Sequence, residues 1–153
     1  MTKNSNTNNQ WLCLVLGCGD VGFEVASSLK KRGMAAAVVE KDARMVEQLR
    51  LATGHDAYWG DFRSPEVLKQ AGISRAEAVI LTVPDFDTIR QTLEAINRLK
   101  KKLRINPAVI VRVEHEIEAF EAKRLGASDV VPSAQTIASA IVEKVRPRKS
   151  PVV

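Results

Sequence analysis

The chain has 153 residues, a net charge of +5, 45% apolar and 27% charged residues. That length and mixture suit one domain that buries its own core without disulfides or a structural metal, and no apolar run nears the roughly 18–20 residues of a membrane span. A soluble domain with no signal peptide is expected. Cys13 and Cys18 stand too close in sequence for a structural disulfide, which fits a reducing cytoplasm. The basic residues are spread over several helices and the 146–149 tail instead of clustering with aromatics on one helix, so nucleic-acid binding is not expected.

Residues 1–10 are rich in Asn, Thr and Ser, with no apolar residue after Met1, and read as a disordered lead-in. The apolar run 11–16 ends at Gly17 and suits a strand buried on both faces. Phe23, Val25, Ala26 and Leu29 then recur at helical spacing until Gly33, placed to end the helix in the left-handed conformation. Residues 35–40 read as a second strand, and Asp42 as the cap of a helix over 43–52. A short third strand at 57–59 precedes Gly60-Asp61, and Ser64 before Pro65 marks a helix start. Gly72 stops that helix. A fourth strand over 78–83 is followed by a long helix opened by Asp85 or Asp87 and running to Lys102, where its lysines complement the helix dipole. Pro107 breaks the chain ahead of a fifth strand at 108–113. Another helix ends at Gly126, a last strand lies at 129–131, and a final helix carries Ile137, Ile141 and Val145 on one stripe. The pattern predicts an α/β fold, a Rossmann-like doubly wound sheet of about six parallel strands with helices on both faces, over residues 11–146. Residues 147–153 read as a flexible tail.

The chemistry concentrates at Gly17-Cys18-Gly19-Asp20-Val21-Gly22. This G-x-G-x-x-G follows a predicted strand, opens a predicted helix and precedes an acid at the end of the second strand. Gly17 allows the tight turn, Gly19 lets backbone approach a phosphate, and Gly22 lets helix and strand pack closely. The helix N-terminus supplies free amides and partial positive charge to an anion. Glu40 lies within the usual reach of about 20 residues for the acid that holds a ribose diol, which selects NAD or AMP over NADP; Lys41 beside it weakens that selection. Asp61, at the same sheet edge, either meets the adenine or its ribose or caps the next turn. Cys18 would be a redox sensor only if exposure and the helix dipole lowered its pKa.

Beyond this loop, Val39-Glu40-Lys41-Asp42, Gly60-Asp61, Leu81-Thr82-Val83-Pro84-Asp85, Val111-Arg112-Val113 and the segment from Leu125-Gly126-Ala127 to Val131-Pro132 together resemble the RCK domain, also called the KTN or TrkA-N type domain. The resemblance covers about Trp11 to Val145. It implies a cytoplasmic regulatory domain that pairs through helices at the sheet's edge. Bound to NAD(H), AMP, ADP or ATP, such domains gate potassium channels, uptake systems and Kef-type cation/proton antiporters. Carried over by position, the glycine loop holds phosphate, Glu40 with Lys41 the ribose side, Asp61 with Phe62 the adenine side, and Thr82 with Val83 the far side of a cleft. Arg112 faces that cleft or a partner subunit. Many relatives carry a basic residue where this chain has Asp20, so ATP is disfavoured against NAD(H) or AMP. The family's Rossmann lobe is often followed by a smaller lobe, so the resemblance implies either a fragment or a version with the first lobe alone. The resemblance implies a homodimer with the final helix at its interface, docked on the inner membrane through a cation transporter or channel.

Two other readings compete. An NAD-dependent oxidoreductase needs a substrate domain and an acid–base residue near the nicotinamide, whereas only a helix and a tail follow the last strand. His55 precedes the third strand, on the wrong edge for a cofactor, and His115 reads as a solvated helix start. Glu114, Glu116 and Glu118 alternate as the ligands of a divalent-cation site could, but acids at a helix N-terminus also complement the dipole, and no metal is expected.

Overall fold

Apolar runs of four to six residues bounded by glycine or proline become strands here because short helical segments return the chain each time to the same sheet edge. The computed structural model describes residues 11–147. The lead-in and all of the predicted tail beyond Pro147 lie outside the described residues. Strands β1 (Leu12–Leu16), β2 (Ala35–Glu40), β3 (Asp56–Trp59), β4 (Ala78–Leu81), β5 (Ala108–Val113) and β6 (Asp129–Pro132) form one parallel sheet in the order β3-β2-β1-β4-β5-β6. This is the doubly wound Rossmann order, in which the chain reverses direction of winding between β1 and β4. Ligands of such sheets bind at that reversal, outside the carboxyl ends of the strands.

Helices α1 (Asp20–Lys31) and α2 (Ala43–Gln48) cover one face, burying Ala26 and Val46 against Val15 and Val38. Helices α3 (Pro65–Ala71), α4 (Phe86–Leu103) and α5 (Glu116–Arg124) cover the other, where Leu68, Ile89, Leu93 and Ile96 pack on Leu14, Leu16 and Leu81. All five residues of β1 are buried, as a central strand sandwiched between helices requires. Helix α6 (Ser133–Glu143) has no buried residue and leaves the body from the carboxyl end of β6.

Several predicted boundaries shift for physical reasons. The helix expected over 43–52 is α-helical only to Gln48. It continues as a π-helical turn, Leu49–Thr53, held by Thr53 Oγ1 on the Leu49 carbonyl and by Lys30 Nζ on the Thr53 carbonyl. The fourth strand ends at Leu81, because Thr82 turns its hydroxyl onto the glycine loop. Asp42 and Asp85 cap α2 and α4 by accepting the Arg44 and Thr88 amides at 2.9 and 2.8 Å. Ser64 holds the cap position of α3 without a side-chain cap bond, and Gly72 ends that helix in the left-handed region at φ 99.

Candidate functional site

The site begins where β1 runs out. Gly17 turns the chain at φ 93 and donates its amide to the Val39 carbonyl at 2.9 Å, tying the loop to β2. Gly19 is the N-cap of α1 in extended conformation, and the first helical bond runs from the Phe23 amide to its carbonyl. The first-turn amides of α1 therefore have no partner inside the helix and point out of its end.

The three glycines of the motif do different work. A Cβ on Gly17 would lie 2.6 Å from Val83 Cγ1, and one on Gly22 would strike the Gly17 carbonyl and stand 2.8 Å from Thr82 Oγ1. Both are packing glycines. A Cβ on Gly19 meets nothing within 4 Å, so the space beside it is open.

That space is a cleft of about 560 Å³ at the carboxyl edge between β1 and β4, where the winding reverses. It brings every residue of the predicted site except Gly22 to its walls: Gly17 to Val21 of the loop, Glu40 and Lys41, Asp61 and Phe62, Thr82 and Val83, and Arg112. Gly22 sits behind the wall as the contact between helix and strand.

Glu40 closes one side. Its Oε2 accepts the Cys18 amide at 2.7 Å and its Oε1 the Asp42 amide at 3.0 Å, so the carboxylate joins the glycine loop to the start of α2. Each oxygen keeps a second lone pair for a hydroxyl donor. Trp59 Nε1 donates to the Lys41 carbonyl at 2.9 Å and fixes the backbone next to Glu40. The Cys18 thiol is buried, and burial first, then the Glu40 charge, raise its pKa. The conditions for a reactive thiolate are not met.

Opposite Glu40, Thr82 Oγ1 donates to the Gly17 carbonyl at 3.0 Å and clamps β4 to the loop. Arg112 faces the cleft: Nη1 donates to the Thr82 carbonyl at 3.1 Å and Nη2 approaches Glu114 Oε2 at 3.4 Å. Its Nε is buried with no partner among the described residues.

Asp61 is more occupied than the sequence indicated. It accepts the Arg63 amide at 2.9 Å and grips the Arg63 guanidinium with both oxygens, and this bond, with the charge of Arg63 and Lys41, holds its carboxyl below the usual carboxylate range. Phe62 packs mainly into the core under β1 and α4 and offers the cleft little side chain. Arg63, Pro84, Asp85 and Thr88 also line the cleft and were missed as site residues. For Arg63 the available signal was its position in the turn after β3, which the parallel topology sends to the same edge. Thr88 hydroxyl and amide bonds hold the Asp85 carboxyl low.

The other sequence candidates lie apart. His55 is buried at the opposite edge between Phe23 and Ser27, and burial, then Lys30, lower its pKa. Glu118 Oε2 accepts the Glu114 and His115 amides, capping α5, while Glu114 pairs with Arg112. Glu114 and Glu118 thus serve separate partners, and no group of three metal-ligating side chains stands together among the described residues.

With the fold and loop in place, comparison decides the family. Residues 13–133 match the model of the TrkA-N domain. The chain belongs to the TrkA-N domain family. A curated relative of this TrkA-N domain, an uncharacterised protein of Methanothermus fervidus, is 30% identical over 120 residues, which is 77% of this chain and 18% of the relative. The chain thus spans less than a fifth of that relative's length. The NAD(P)-binding domain of an exopolyphosphatase-related protein from Archaeoglobus fulgidus superposes with a TM-score of 0.78 at 23% identity, covering 88% of this chain and 97% of that one. The GsuK channel bound to NAD gives 0.76 at 16% identity, with 88% and 24% covered. The Kef C-terminal domain of Shewanella denitrificans in its AMP-bound form gives 0.66 at 16% identity, with 88% and 82% covered. At these identities the likeness is one of fold.

Proposed function

We propose that this TrkA-N domain binds an adenine nucleotide, NAD(H) or AMP, in the cleft at the β1/β4 reversal and reports that binding to a membrane-embedded cation transporter: a potassium channel, an uptake system or a Kef-type antiporter. The observation that carries the reading is the open space beside Gly19, at the free amides of α1 and next to the Glu40 carboxylate. A phosphate fits against backbone there because no side chain intervenes, and the helix end favours its charge. Glu40 accepts the adenosine ribose hydroxyls on its remaining lone pairs, and Arg112 lends its positive charge to the cleft wall. The Asp20 carboxylate at the head of α1 disfavours the longer anionic chain of ATP. Nucleotides carried by proteins of the same fold, NAD by the GsuK channel and AMP by the Kef C-terminal domain, support the choice of ligand and the transporter context.

The domain is read as a binding module on the cytoplasmic side of a membrane transporter, with no catalytic residue of its own. It works as a homodimer joined through α6, whose Ile137, Ile141 and Val142 are exposed. An NADH oxidation assay with small carbonyl substrates is expected to show no turnover above the uncatalysed rate. Turnover abolished by Gly19→Ala would reinstate the oxidoreductase reading.

Calorimetric titration tests the binding. NADH and AMP are expected to bind more tightly than NADPH, because Glu40 repels a 2′-phosphate. NADPH binding equal to or tighter than NADH removes Glu40 from the ribose. Glu40→Gln keeps one acceptor but loses the charge, and the gap between NADH and NADPH is expected to shrink about tenfold.

A further inference from the structure

The edge of the sheet opposite the cleft carries an unusual concentration of positive charge. In a parallel α/β fold every returning helix ends at the amino edge, so the cations at the ends of α1, α3, α4 and α5 are collected on one side of the molecule. Helix α1 ends in Lys30 and Lys31, and α4 in Lys100, Lys101 and Lys102. The helix dipole accounts for one or two cations in a last turn. Arg32 and Arg104 add to them at the C-caps of α1 and α4, and Arg75 ends the short 3-10 turn 73–75 ahead of β4. Lys31, Arg32, Arg75, Lys101, Lys102 and Arg104 are exposed, and none pairs with a carboxylate among the described residues.

At the centre of this edge stands Trp11, 59% exposed, on the residue before the central strand. Its carbonyl accepts the Ala35 amide at 3.0 Å, and the neighbouring turns are laced to it by Glu77 N on Leu12 O and Ala108 N on Glu77 O, both 2.9 Å. The edge is therefore a row of short turns around an indole, with cations on either side. More than half of this amphipathic ring stands in water, and unlike Trp59, whose Nε1 is held by the Lys41 carbonyl, its indole has no hydrogen bond among the described residues; the headgroup level of a bilayer is where such rings concentrate.

We propose that this amino edge docks on an anionic phospholipid surface, with Trp11 at the headgroup level and the surrounding lysines and arginines on the lipid phosphates and carboxylates. The proposal is independent of the nucleotide reading, since no cleft residue takes part. The balance of charge supports the orientation: cations outnumber Asp56, Glu77 and Asp129 at the amino edge, whereas Asp20, Glu40, Asp42, Asp61, Asp85 and Glu114 outnumber Lys41, Arg44, Arg63 and Arg112 at the carboxyl side. An anionic bilayer therefore favours the amino edge over the other, so the docked domain holds its cleft away from the membrane, open to water.

The test is cosedimentation of the whole chain with vesicles of phosphatidylcholine, with or without about 30% phosphatidylserine. Binding is expected only with the anionic lipid and to fade as salt rises. In a Trp59→Phe background, where Trp11 is the remaining tryptophan, its emission is expected to shift to the blue on binding. Lys101→Gln/Lys102→Gln is expected to lower the partition coefficient roughly thirtyfold, at about fivefold per cation. Arg44→Gln/Lys144→Gln removes the same charge elsewhere and is expected to cost less than about threefold. Equal losses for the two pairs mean attraction by net charge alone and overturn the proposal. So does equal binding to neutral vesicles, or an emission of Trp11 that does not move, the result expected if the edge serves an acidic protein instead. The salt series and the emission shift are read with the lysines intact, so they decide the matter whatever the stability of the double variant. NADH titration of Lys101→Gln/Lys102→Gln without vesicles is expected to match the unaltered chain.

Discussion

The β1–α1 turn and helix α6 are opposite solutions to the same problem of where a segment's groups find partners. In the turn the groups ahead of the helix are answered from within the chain: the Gly17 amide by Val39, the Gly17 carbonyl by Thr82, the Cys18 amide by Glu40, and the bare face of Gly22 by Thr82. What is left is the space beside Gly19 and the first-turn amides of α1 that open onto it. Helix α6 is answered by almost nothing. Its start is held by Ser133 Oγ on the Val113 carbonyl and the Ala134 amide on the Glu114 carbonyl, and beyond that its apolar side chains face water. A closed segment with one opening implies a small ligand, and an apolar segment with no cover implies a large partner.

The sharpest way to break the comparison is at Gly22. Gly22→Ala drives a methyl group into the Gly17 carbonyl and to 2.8 Å from Thr82 Oγ1, and both are held by other bonds. Overpacking of that kind costs about 3 kcal/mol, and for a domain of this size the melting temperature is expected to fall by roughly 6–12 °C. An unchanged melt would show that the turn relaxes freely and is not a closed element.

Gly19→Ala gives the complementary result. Its backbone is already in an extended conformation that alanine adopts, and its Cβ meets nothing, so stability is expected to stay within about 0.5 kcal/mol. Affinity for NADH or AMP is expected to drop at least about tenfold, because the methyl group stands where phosphate meets backbone. A melt that falls with affinity per folded molecule unchanged makes Gly19 a packing residue and removes the opening from the cleft.

How far these two segments could be read from sequence follows the range of the interactions that build them. The turn was legible because its chemistry is local: strand, glycines and helix start are contiguous, and Glu40 is reached by one crossover. Strands β2 and β5 occupy the residues expected, since Gly33 and Pro107 mark their starts. The π-turn after α2 was not legible, for it depends on Lys30 reaching across from α1. The same holds for Arg63, whose place at the cleft is set by Asp61 and by Gln91 on α4, and for the thiol of Cys18, whose burial comes from packing under α1 and α2. For α6 the width of the stripe and the resemblance pointed to an interface, with packing on its own sheet as the alternative. A helix of that pattern covers its own sheet in many Rossmann domains, and only the structure places it off the body.

That placement makes the last and smallest effect on stability the most informative about assembly. Ile137, Ile141, Val142 and Val145 are 58%, 61%, 67% and 69% exposed, and α5 adds Ile117 and Phe120 at 84% and 79%. Had α6 packed on its own sheet, Ile141→Glu would bury a charge and cost several kcal/mol. As it stands, the glutamate side chain replaces an isoleucine already in water, so the melt of the isolated subunit is expected to move by less than about 0.5 kcal/mol. In a symmetric pair the same residue meets its copy or a neighbour of its copy, and two carboxylates enter one apolar seam. Light scattering is therefore expected to show a dimer before substitution and a folded monomer after it. A chain that is monomeric before substitution removes the dimer, and one that is monomeric and then unfolds on Ile141→Glu returns α6 to its own sheet. A dimer that survives the substitution with its stability intact moves the interface to Ile117 and Phe120 on α5, where Phe120→Glu repeats the experiment.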